Sequence, residues 1–493
     1  MKKVFIVLLV SVGFISCKKG FLDINSTPNN PVTVTPAAIF PNTTIAIAFA
    51  TGNELNRATG ALVQHMAGTA NQVAQYDVFL LDQFSNSWSF EIYNGAINNL
   101  QRLIDLDSAQ NPAYSGVAKI EMAYAFSLAT DLWGDVPYSQ AGQGLLYETP
   151  RFDKQEDIYQ GNPTLGIRSL FDLVKSGIAD LDKPTNILKP SGLDDLVYAG
   201  DLTKWKRFAN SLLLKFAIQI SNRNPVLAKS TIESVLTGNL YINQTSLDFE
   251  VPFGVAVGNR NPIFDFNNNL RTGDQMLSSR LLTLSRSLND TIRLAKFFTK
   301  PTGTFVAFNN GSTAAAPALA TRSRYNTYLT GDPDPLAVNT FKTGGAAPIR
   351  IMTWYQVNFY LAEAALILGT PGDPNTYYQT GIRTNMLKIG MTQAEIDTFF
   401  VRNPTVVTLA GTTEDKRKQI ITQKYLASIG YPIEVYNDYR RTGYPVLTLP
   451  LNAQGDNPNV IPTRLVYPSS ELARNPNAPS PRPKTDVKLW WAL

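Results

Sequence analysis

Histidine and cysteine are almost absent from this chain, which has one residue of each among 493. A single histidine excludes zinc sites with two or three histidine ligands and HExxH proteases, and any Ser-His-Asp triad would need His65. His65 lies in an apolar stretch, residues 61 to 67, that is typical of a helix, so we predict a hydrogen-bonded structural histidine. The sequence also has no P-loop, no GxSxG motif and no paired-cysteine metal motif. We therefore expect no metal and no cofactor.

A strong excess of either charge sign is also missing. The chain has 44 basic and 39 acidic residues and a formal net charge of +5, and its densest basic stretch, residues 414 to 418, begins with two acids. Proteins that bind nucleic acid gather basic residues on one face. We therefore expect no nucleic-acid partner and interpret residues 414 to 418 as a solvated helix face.

The one cysteine, Cys17, follows an apolar N-terminal segment. Lys2 and Lys3 precede an apolar run at residues 4 to 12, which is about half of the ~20 residues that a membrane-spanning helix needs. The run is therefore typical of a secretion signal.

Residues 14 to 17, Phe-Ile-Ser-Cys, are similar to a bacterial lipobox, in which the cysteine becomes the new N-terminus and takes lipid on its sulfur. This similarity predicts a lipoprotein signal peptide at residues 1 to 16 and one mature domain at residues 17 to 493. An ordinary signal peptide followed by a chance cysteine is the alternative. A core of several hundred residues needs no disulfides, so an exported chain with one thiol is consistent with a lipid anchor.

Helical periodicity dominates the sequence. Residues 202 to 220 place apolar side chains three and four positions apart, with Asp201 as a candidate N-cap. Residues 354 to 368 form a second such stripe, and capping boxes predict further helix starts at Ser230 and Thr392. Other helices are predicted at residues 37 to 67, 88 to 105, 115 to 132, 165 to 181, 277 to 287 and 414 to 428.

Strand patterns are few and the loops are long. Residues 246 to 251 and 303 to 308 are the candidate strands. Residues 251 to 275, 299 to 350 and 443 to 488 are rich in Asn, Gly and Pro, and loops of this length are functional or packed in irregular form. We predict a mainly α fold, a helical scaffold that carries a loop-rich cap.

Aromatic residues are abundant, with 21 Tyr, 25 Phe and 6 Trp, and at residues 71 to 88 and 259 to 271 they alternate with amides and charged groups. Sugar rings stack on flat aromatic side chains, and their hydroxyls need amide, carboxylate and guanidinium partners. Peptides would suit the same surface, because backbone amides pair with the same groups. We predict binding rather than catalysis, and a glycosidase that uses two of the 39 acids is the alternative.

Several longer motifs follow one another along the chain. They are, in order, Cys17 with Phe21-Leu22-Asp23-Ile24-Asn25 and Pro28-Asn29-Asn30-Pro31, then Asp131-Leu132-Trp133-Gly134-Asp135-Val136-Pro137-Tyr138, Trp205-Lys206-Arg207-Phe208-Ala209-Asn210, Asn358-Phe359-Tyr360-Leu361-Ala362-Glu363-Ala364-Ala365, Thr422-Gln423-Lys424-Tyr425, Glu434-Val435-Tyr436-Asn437-Asp438-Tyr439-Arg440-Arg441 and Ile461-Pro462-Thr463-Arg464-Leu465-Val466-Tyr467-Pro468. In this order they resemble the SusD/RagB family of Bacteroidetes outer-membrane lipoproteins, in its shorter SusD-like branch.

This resemblance implies tetratricopeptide-like helix pairs that form a superhelical scaffold under an irregular cap. It implies a non-catalytic nutrient-binding lipoprotein, held in the outer membrane through Cys17 and facing the cell exterior. The implied partner is a SusC/RagA-type TonB-dependent transporter, to which the protein delivers an oligosaccharide. The same lid role for peptides is one alternative, and a surface glycoside hydrolase that uses two carboxylates is another.

The motif residues themselves are predicted to be structural. Asp438, Arg440 and Arg441 are expected to form a buried charge-assisted network near the C-terminus, and Glu363 inside an apolar helix needs a partner too. Ligand contacts vary within the family, so the resemblance gives only a neighbourhood for the site. The ligand-binding residues predicted there are Tyr76, Phe79, Trp88, Asn268, Arg271 and Tyr325.

Overall fold

The structure is a computed structural model that describes residues 34 to 81, 84 to 106, 109 to 184, 186 to 338 and 342 to 492. Cys17 and residues 1 to 16 lie outside the described residues, so the signal peptide and the lipidation stay predictions. Among the described helices, none is both long enough and apolar enough to cross a membrane.

The described residues are mainly helical, as predicted. The α-helices are α1 (Pro36–Gly52), α2 (Glu54–Leu62), α3 (Asn71–Asp77), α4 (Asn98–Asp105), α5 (Pro112–Trp133), α6 (Gln155–Gln160), α7 (Leu170–Leu181), α8 (Leu202–Ile220), α9 (Pro225–Gly238), α10 (Pro262–Phe264), α11 (Ser279–Ser287), α12 (Thr291–Phe297), α13 (Thr327–Thr330), α14 (Trp354–Leu368), α15 (Pro374–Lys388), α16 (Gln393–Arg402), α17 (Pro404–Val407), α18 (Thr413–Ala427), α19 (Pro432–Thr442) and α20 (Ser469–Arg474). A first π-helix spans Asn86–Ile97 and a second spans Asp265–Leu270.

Helices that follow one another pack as pairs and form the scaffold. α8 packs on α9, α14 packs on α15, and α5 packs on α7. The connections within the first two pairs are short, which makes each an antiparallel hairpin of helices. α8 begins where its sequence predicts, because the Asp201 side chain accepts hydrogen bonds from Thr203 N and Lys204 N. The predicted helix pairs are therefore confirmed.

Two predicted helices have different boundaries in the structure. The region predicted as one helix at residues 37 to 67 divides at Asn53, whose φ of −99° and ψ of −121° are not helical. The capping box predicted at Ser230 is wrong, because α9 already begins at Pro225. Asn224 caps this helix by accepting a hydrogen bond from Leu227 N at 3.0 Å, and proline is favoured at the first helical position.

Short strands join the cap to the scaffold. The strands are β1 (Met66–Gly68), β2 (Val136–Pro137), β3 (Phe152–Asp153), β4 (Phe249–Val251), β5 (Gln275–Leu277) and β6 (Ile349–Met352), paired antiparallel as β1–β5, β2–β3 and β4–β6. The strand predicted at residues 246 to 251 shortens to β4. The strand predicted at 303 to 308 is wrong, since this segment makes only an isolated bridge from Phe308 to Ser278.

A buried ion network joins the scaffold helices α14, α18 and α19. Arg441 donates to both carboxylate oxygens of Glu363, at 2.6 and 2.7 Å, and to Asp438 at 2.9 Å. Lys424 bridges Asp438 and Glu434, at 2.8 and 3.1 Å. Asp438, Arg441 and Glu363 therefore form the predicted network, whereas Arg440 is buried but donates to the main-chain oxygens of Asp131 and Thr463 instead.

Arg417 belongs to the same network and corrects one prediction. It lies in the stretch that was interpreted as a solvated helix face, yet it is buried and its Nε donates to Glu363 Oε1 at 3.0 Å. A single helix has several faces, so a mixed-charge run can turn one of its cations inward.

His65 is structural but lacks its expected hydrogen bonds. Its ring is fully buried, with its centroid 4.3 Å from that of Tyr425. Burial lowers the pKa of His65 to about 3, against a smaller contribution from the Tyr425 main chain. Neither ring nitrogen reaches hydrogen-bond geometry within the described residues. The imidazole is therefore neutral and serves packing.

Candidate functional site

The strand pair β1–β5 brings the two amide-rich stretches of the sequence to one face of the molecule. Gly68 of β1 lies opposite Gln275 of β5. Because α2 and α3 flank β1, and the second π-helix precedes β5, these helices become neighbours. A hydrogen bond of 2.9 Å from Asn71 Nδ2 to Asp274 Oδ1 joins the two segments directly.

Arg57 of α2 is at the centre of this face. Its guanidinium carbon lies 4.1 Å from the centroid of the Phe266 ring, which belongs to the second π-helix. Its Nη1 donates to Asn53 Oδ1 at 2.8 Å. Burial lowers the pKa of Arg57, and the nearby Glu54, Glu91 and Asp274 act against that change. The side chain remains a cation that is held flat against an aromatic ring.

Two buried carboxylates with amide partners surround Arg57. Glu91 Oε1 accepts from Asn53 Nδ2 at 2.8 Å and from Asn86 Nδ2 at 3.0 Å. Glu54 Oε1 accepts from Gln72 Nε2 at 2.9 Å. Burial raises the pKa of Glu91, which its hydrogen bond from Asn53 opposes. These bonds fix the orientation of each amide, because an amide nitrogen donates and an amide oxygen accepts.

Two exposed apolar side chains lie on the same two π-helices. Phe90 of the first π-helix is 69% exposed and Leu270 at the end of the second is 73% exposed. An exposed aromatic or aliphatic side chain of this size can contact a ligand or partner. We call the surface formed by Asn53, Arg57, Asn86, Phe90 and Phe266 the Arg57 face. It combines aromatic rings, oriented amides and one cation, which is the chemistry of a site for a polyhydroxyl or amide ligand.

The six predicted ligand-binding residues do not meet in one place. Arg271 is exposed, whereas the side chains of the other five are buried. Asn268 donates to Asp332 Oδ2 at 2.7 Å, and Tyr325 packs on Phe298 with ring centroids 5.3 Å apart. Neither side chain presents a free surface to solvent in this structure.

Tyr76 lies beside the Arg57 face, and Phe79 and Trp88 are buried in the hydrophobic core. The Tyr76 hydroxyl donates to Glu54 at 3.2 Å, and Trp88 packs edge-on against Trp133 at 5.2 Å between centroids. Phe79 has a φ of 69°, which is rare for an aromatic residue. The rings of Tyr76 and Trp88 pack on other protein rings, and ligand contact by all three residues stays a prediction.

Two cavities open beside the same segment of chain. A cavity of about 820 Å³ is lined by Phe79, Leu80, Asp456 and Arg482 among others. A second one, of about 380 Å³, has Trp88 in its wall. Phe79 and Trp88 thus border open space with a small part of their surface. Within the described residues no group of three or more His, Cys, Asp or Glu side chains could hold a metal ion.

Arg57 and Phe90 were not among the predicted site residues. Arg57 had one usable signal, since it is the only lysine or arginine between Lys19 and Arg102. A lone cation in a long segment whose other charged residues are five acids is unusual enough to be a candidate. Phe90 had no such signal, because exposure of one phenylalanine among many depends on tertiary packing.

Helix pairs under an irregular cap place the protein in the class of capped, tetratricopeptide-like α proteins. The chain belongs to the SusD-like family, described as starch-binding and associating with the outer membrane, whose model matches residues 28 to 468. No curated protein matches the chain.

Solved structures share the fold over nearly the whole chain. A chitin-binding protein is 24% identical with a TM-score of 0.76, over 93% of this chain and 100% of that one. A SusD homologue from Bacteroides uniformis is 23% identical with a TM-score of 0.72, over 92% and 99%. A chitin-binding SusD homologue from Flavobacterium johnsoniae is 22% identical with a TM-score of 0.72, over 92% and 97%.

Proposed function

We propose that this protein is a cell-surface nutrient-binding lipoprotein that captures an oligosaccharide on the Arg57 face and delivers it to a SusC-like TonB-dependent transporter in the outer membrane. The observation that carries the proposal is the position of Arg57 over Phe266, beside the oriented Asn53 and Asn86 amides. The family description and the chitin-binding proteins of the same fold support a carbohydrate ligand.

The chemistry of the Arg57 face suits a sugar in two ways. A pyranose ring has an apolar side that covers an aromatic ring, and Phe90 is 69% exposed and available for this. Sugar hydroxyls both donate and accept, which matches the Asn53 and Asn86 amides and the Arg57 guanidinium. Peptides are the second candidate ligand, because their backbone amides pair with the same groups.

Delivery to a transporter rests on family membership. A protein that closes over a transporter needs a membrane tether, and Cys17 would supply it through lipid on its sulfur. In this proposal the protein binds its ligand without changing it. A hydrolase that uses two carboxylates is the opposing candidate, and it would release product.

Calorimetry on the purified protein tests the ligand class, with malto- and chito-oligosaccharides and peptides of matched length as probes. Replacement of Phe90 by Ala is expected to weaken sugar binding roughly 3- to 10-fold, because aromatic stacking contributes about 0.5–1.5 kcal/mol. Val226→Ala is the matched control, since Val226 is 79% exposed on α9. If the protein binds only the peptides, the ligand class is peptide rather than oligosaccharide. Unchanged sugar affinity in the Phe90→Ala variant would show that the Arg57 face is not the binding site. Product formed in the incubation would support the hydrolase.

A further inference from the structure

Three adjoining cavities follow helix α11 where it faces α18 and the C-terminal segment 445 to 451. Their volumes are about 460, 290 and 310 Å³. The first two share Leu284, Ser287, Lys418 and Thr422, and the last two share Arg280 and Thr283. They therefore form one continuous groove, which we call the α11 groove. The elements that form this groove are different from those that form the Arg57 face.

Gln64 lines the middle of the groove with an unsatisfied acceptor. The residue is 3% exposed and has a φ of 61°, which is uncommon for a residue other than glycine. Its Nε2 donates to Thr448 O at 2.5 Å, which fixes the amide orientation because a carbonyl cannot receive a hydrogen bond from another carbonyl. Its Oε1 has no hydrogen-bond partner within the described residues. A buried acceptor without a donor is unfavourable, so a ligand that supplies a donor gains from it.

Two cations without partners lie on opposite walls of the groove. Arg280 of α11 and Lys418 of α18 are exposed, and neither side chain forms an ion pair or hydrogen bond within the described part of the chain. The nearest carboxylate on these walls, Asp415, caps its own helix by accepting from Thr412 N and Oγ1 at 3.0 and 2.7 Å. Lys418 acts electrostatically on Asp415, and with this carboxylate counted the two cations still leave the groove a net positive charge that an anionic ligand would neutralise.

The remaining lining residues are hydroxyls and aliphatic side chains. Thr283, Ser287 and Thr422 contribute hydroxyls, while Leu284 and Val446 contribute apolar surface. Hydroxyl groups match a polyhydroxyl chain because both sides donate and accept. Aliphatic surface suits the C–H faces of sugar rings.

We propose that the α11 groove binds an acidic oligosaccharide, with uronate carboxylates between Arg280 and Lys418 and a sugar hydroxyl that donates to Gln64 Oε1. The choice of a sugar rests on the proposed function, whereas the acidic character rests on the groove alone. The groove is a second site, so a ligand here can be bound while the Arg57 face is empty.

Titration calorimetry with tetragalacturonic acid and a neutral galactose tetramer tests the proposal. The protein is expected to bind the acidic tetramer about 10-fold more tightly than the neutral one, and this preference should weaken as salt rises. The double variant Arg280→Gln, Lys418→Gln is expected to lose about 10-fold in affinity for the acid. The matched control is Arg286→Gln, since Arg286 is an exposed cation on the same helix outside the groove lining.

Two further variants separate this site from the Arg57 face. Gln64→Met removes the acceptor together with the hydrogen bond to Thr448 O, and it is expected to weaken the acidic tetramer several-fold. The thermal midpoint, measured beside the affinity, reports the lost Thr448 hydrogen bond separately. Phe90→Ala should leave binding of the acidic tetramer unchanged, so failure of the Arg57 proposal can be told apart from failure here. If the double variant and Arg286→Gln lose equal affinity for the acidic tetramer, the α11 groove is not the binding site. No preference for the acidic tetramer, or tighter binding of tetraglutamate, would overturn the ligand class.

Discussion

Buried charged side chains stabilise the C-terminal half of the scaffold. Glu363 is 1% exposed inside the apolar helix α14, where an isolated carboxylate would be strongly unfavourable. Burial alone would raise the pKa of Glu363, but Arg441 and Arg417 overcome this and lower it to about 2. The carboxylate is therefore ionised throughout the physiological range and closes a bidentate pair with Arg441.

Replacement of Glu363 by Gln is expected to lower the free energy of unfolding by about 3–5 kcal/mol, because it leaves Arg441 buried without its counter-charge. Urea titration followed by circular dichroism measures the change, with the exposed Glu156→Gln on α6 as the control. The folded pKa of Glu363 lies below its ordinary value of 4.5. Its stabilising contribution is thus present above pH 4.5 and is lost as pH falls toward 2. A variant as stable as the control at pH 7 would show that the ion pair contributes little.

Glu121 has the opposite pH dependence. It is buried in α5 and accepts hydrogen bonds from Thr43 and Thr44 at 2.8 and 2.6 Å. Burial raises the pKa of Glu121 from 4.5 to about 8, so the carboxyl group is neutral in the folded protein at pH 7. Because the folded pKa is the higher one, its contribution to stability is complete below pH 4.5 and is lost as pH rises through 8.

The Glu121→Gln variant is expected to remove that dependence. Its free energy of unfolding should change less between pH 5 and pH 8 than that of the unchanged protein, in which this one group has lost several kcal/mol by pH 8. Urea titrations at both pH values measure the difference, with Glu156→Gln compared at the same two points. Parallel losses in both proteins would mean that the pKa of Glu121 is close to its ordinary value.

At the scale of elements, the helices with strong local sequence patterns were predictable, but the contacts between elements were not. The apolar stripe and the Asp201 cap predicted α8, since both lie within one helix. The contact of Arg57 with Phe266 was not predictable, because it depends on the pairing of β1 with β5. The burial of Tyr325 was not predictable either, because the residues next to it in the sequence do not show whether its side chain is buried or exposed.

The pair α5 and α7 depends on a close crossing at two glycines. A Cβ added to Gly177 would lie 2.9 Å from Gly116 O and from Ile120 Cγ1, and one added to Gly116 would lie 2.8 Å from Gly177 O. These distances are shorter than van der Waals contact, and main-chain oxygens cannot rotate away. The helices can approach this closely only because both positions lack a side chain.

Gly177→Ala is therefore expected to destabilise the protein by about 1–3 kcal/mol, although alanine is the better helix former by about 1 kcal/mol. The matched control is Gly238→Ala at the end of α9, where an added Cβ meets nothing within 4 Å. Thermal unfolding of both variants gives the comparison. A Gly177 variant that is at least as stable as the Gly238 variant would show that α7 can shift without loss of packing.

At the scale of the whole molecule, one hydrophobic core extends from Ile39 to Ala492. The C-terminal segment is held against α5, where Trp491 Nε1 donates to Asp131 Oδ1 at 3.0 Å. Both ligand regions are built on this single core, the Arg57 face on α2 and the π-helices, the α11 groove between α11 and α18. The proposed attachment at Cys17 would precede the core in the chain, so membrane anchoring and ligand binding should be separable.

Replacement of Cys17 by Ala tests that separation. Without the sulfur no lipid can be added, so the protein is expected to move from the membrane fraction to the soluble fraction. Fractionation with a high-salt wash and immunoblotting measures the shift, with Asn25→Ala as the control that keeps the cysteine. Oligosaccharide affinity should be equal in both variants, since the Arg57 face begins at Asn53, well after Cys17 in the chain. A Cys17→Ala protein that stays with the membrane after the wash would mean that a protein partner, rather than lipid, holds it there.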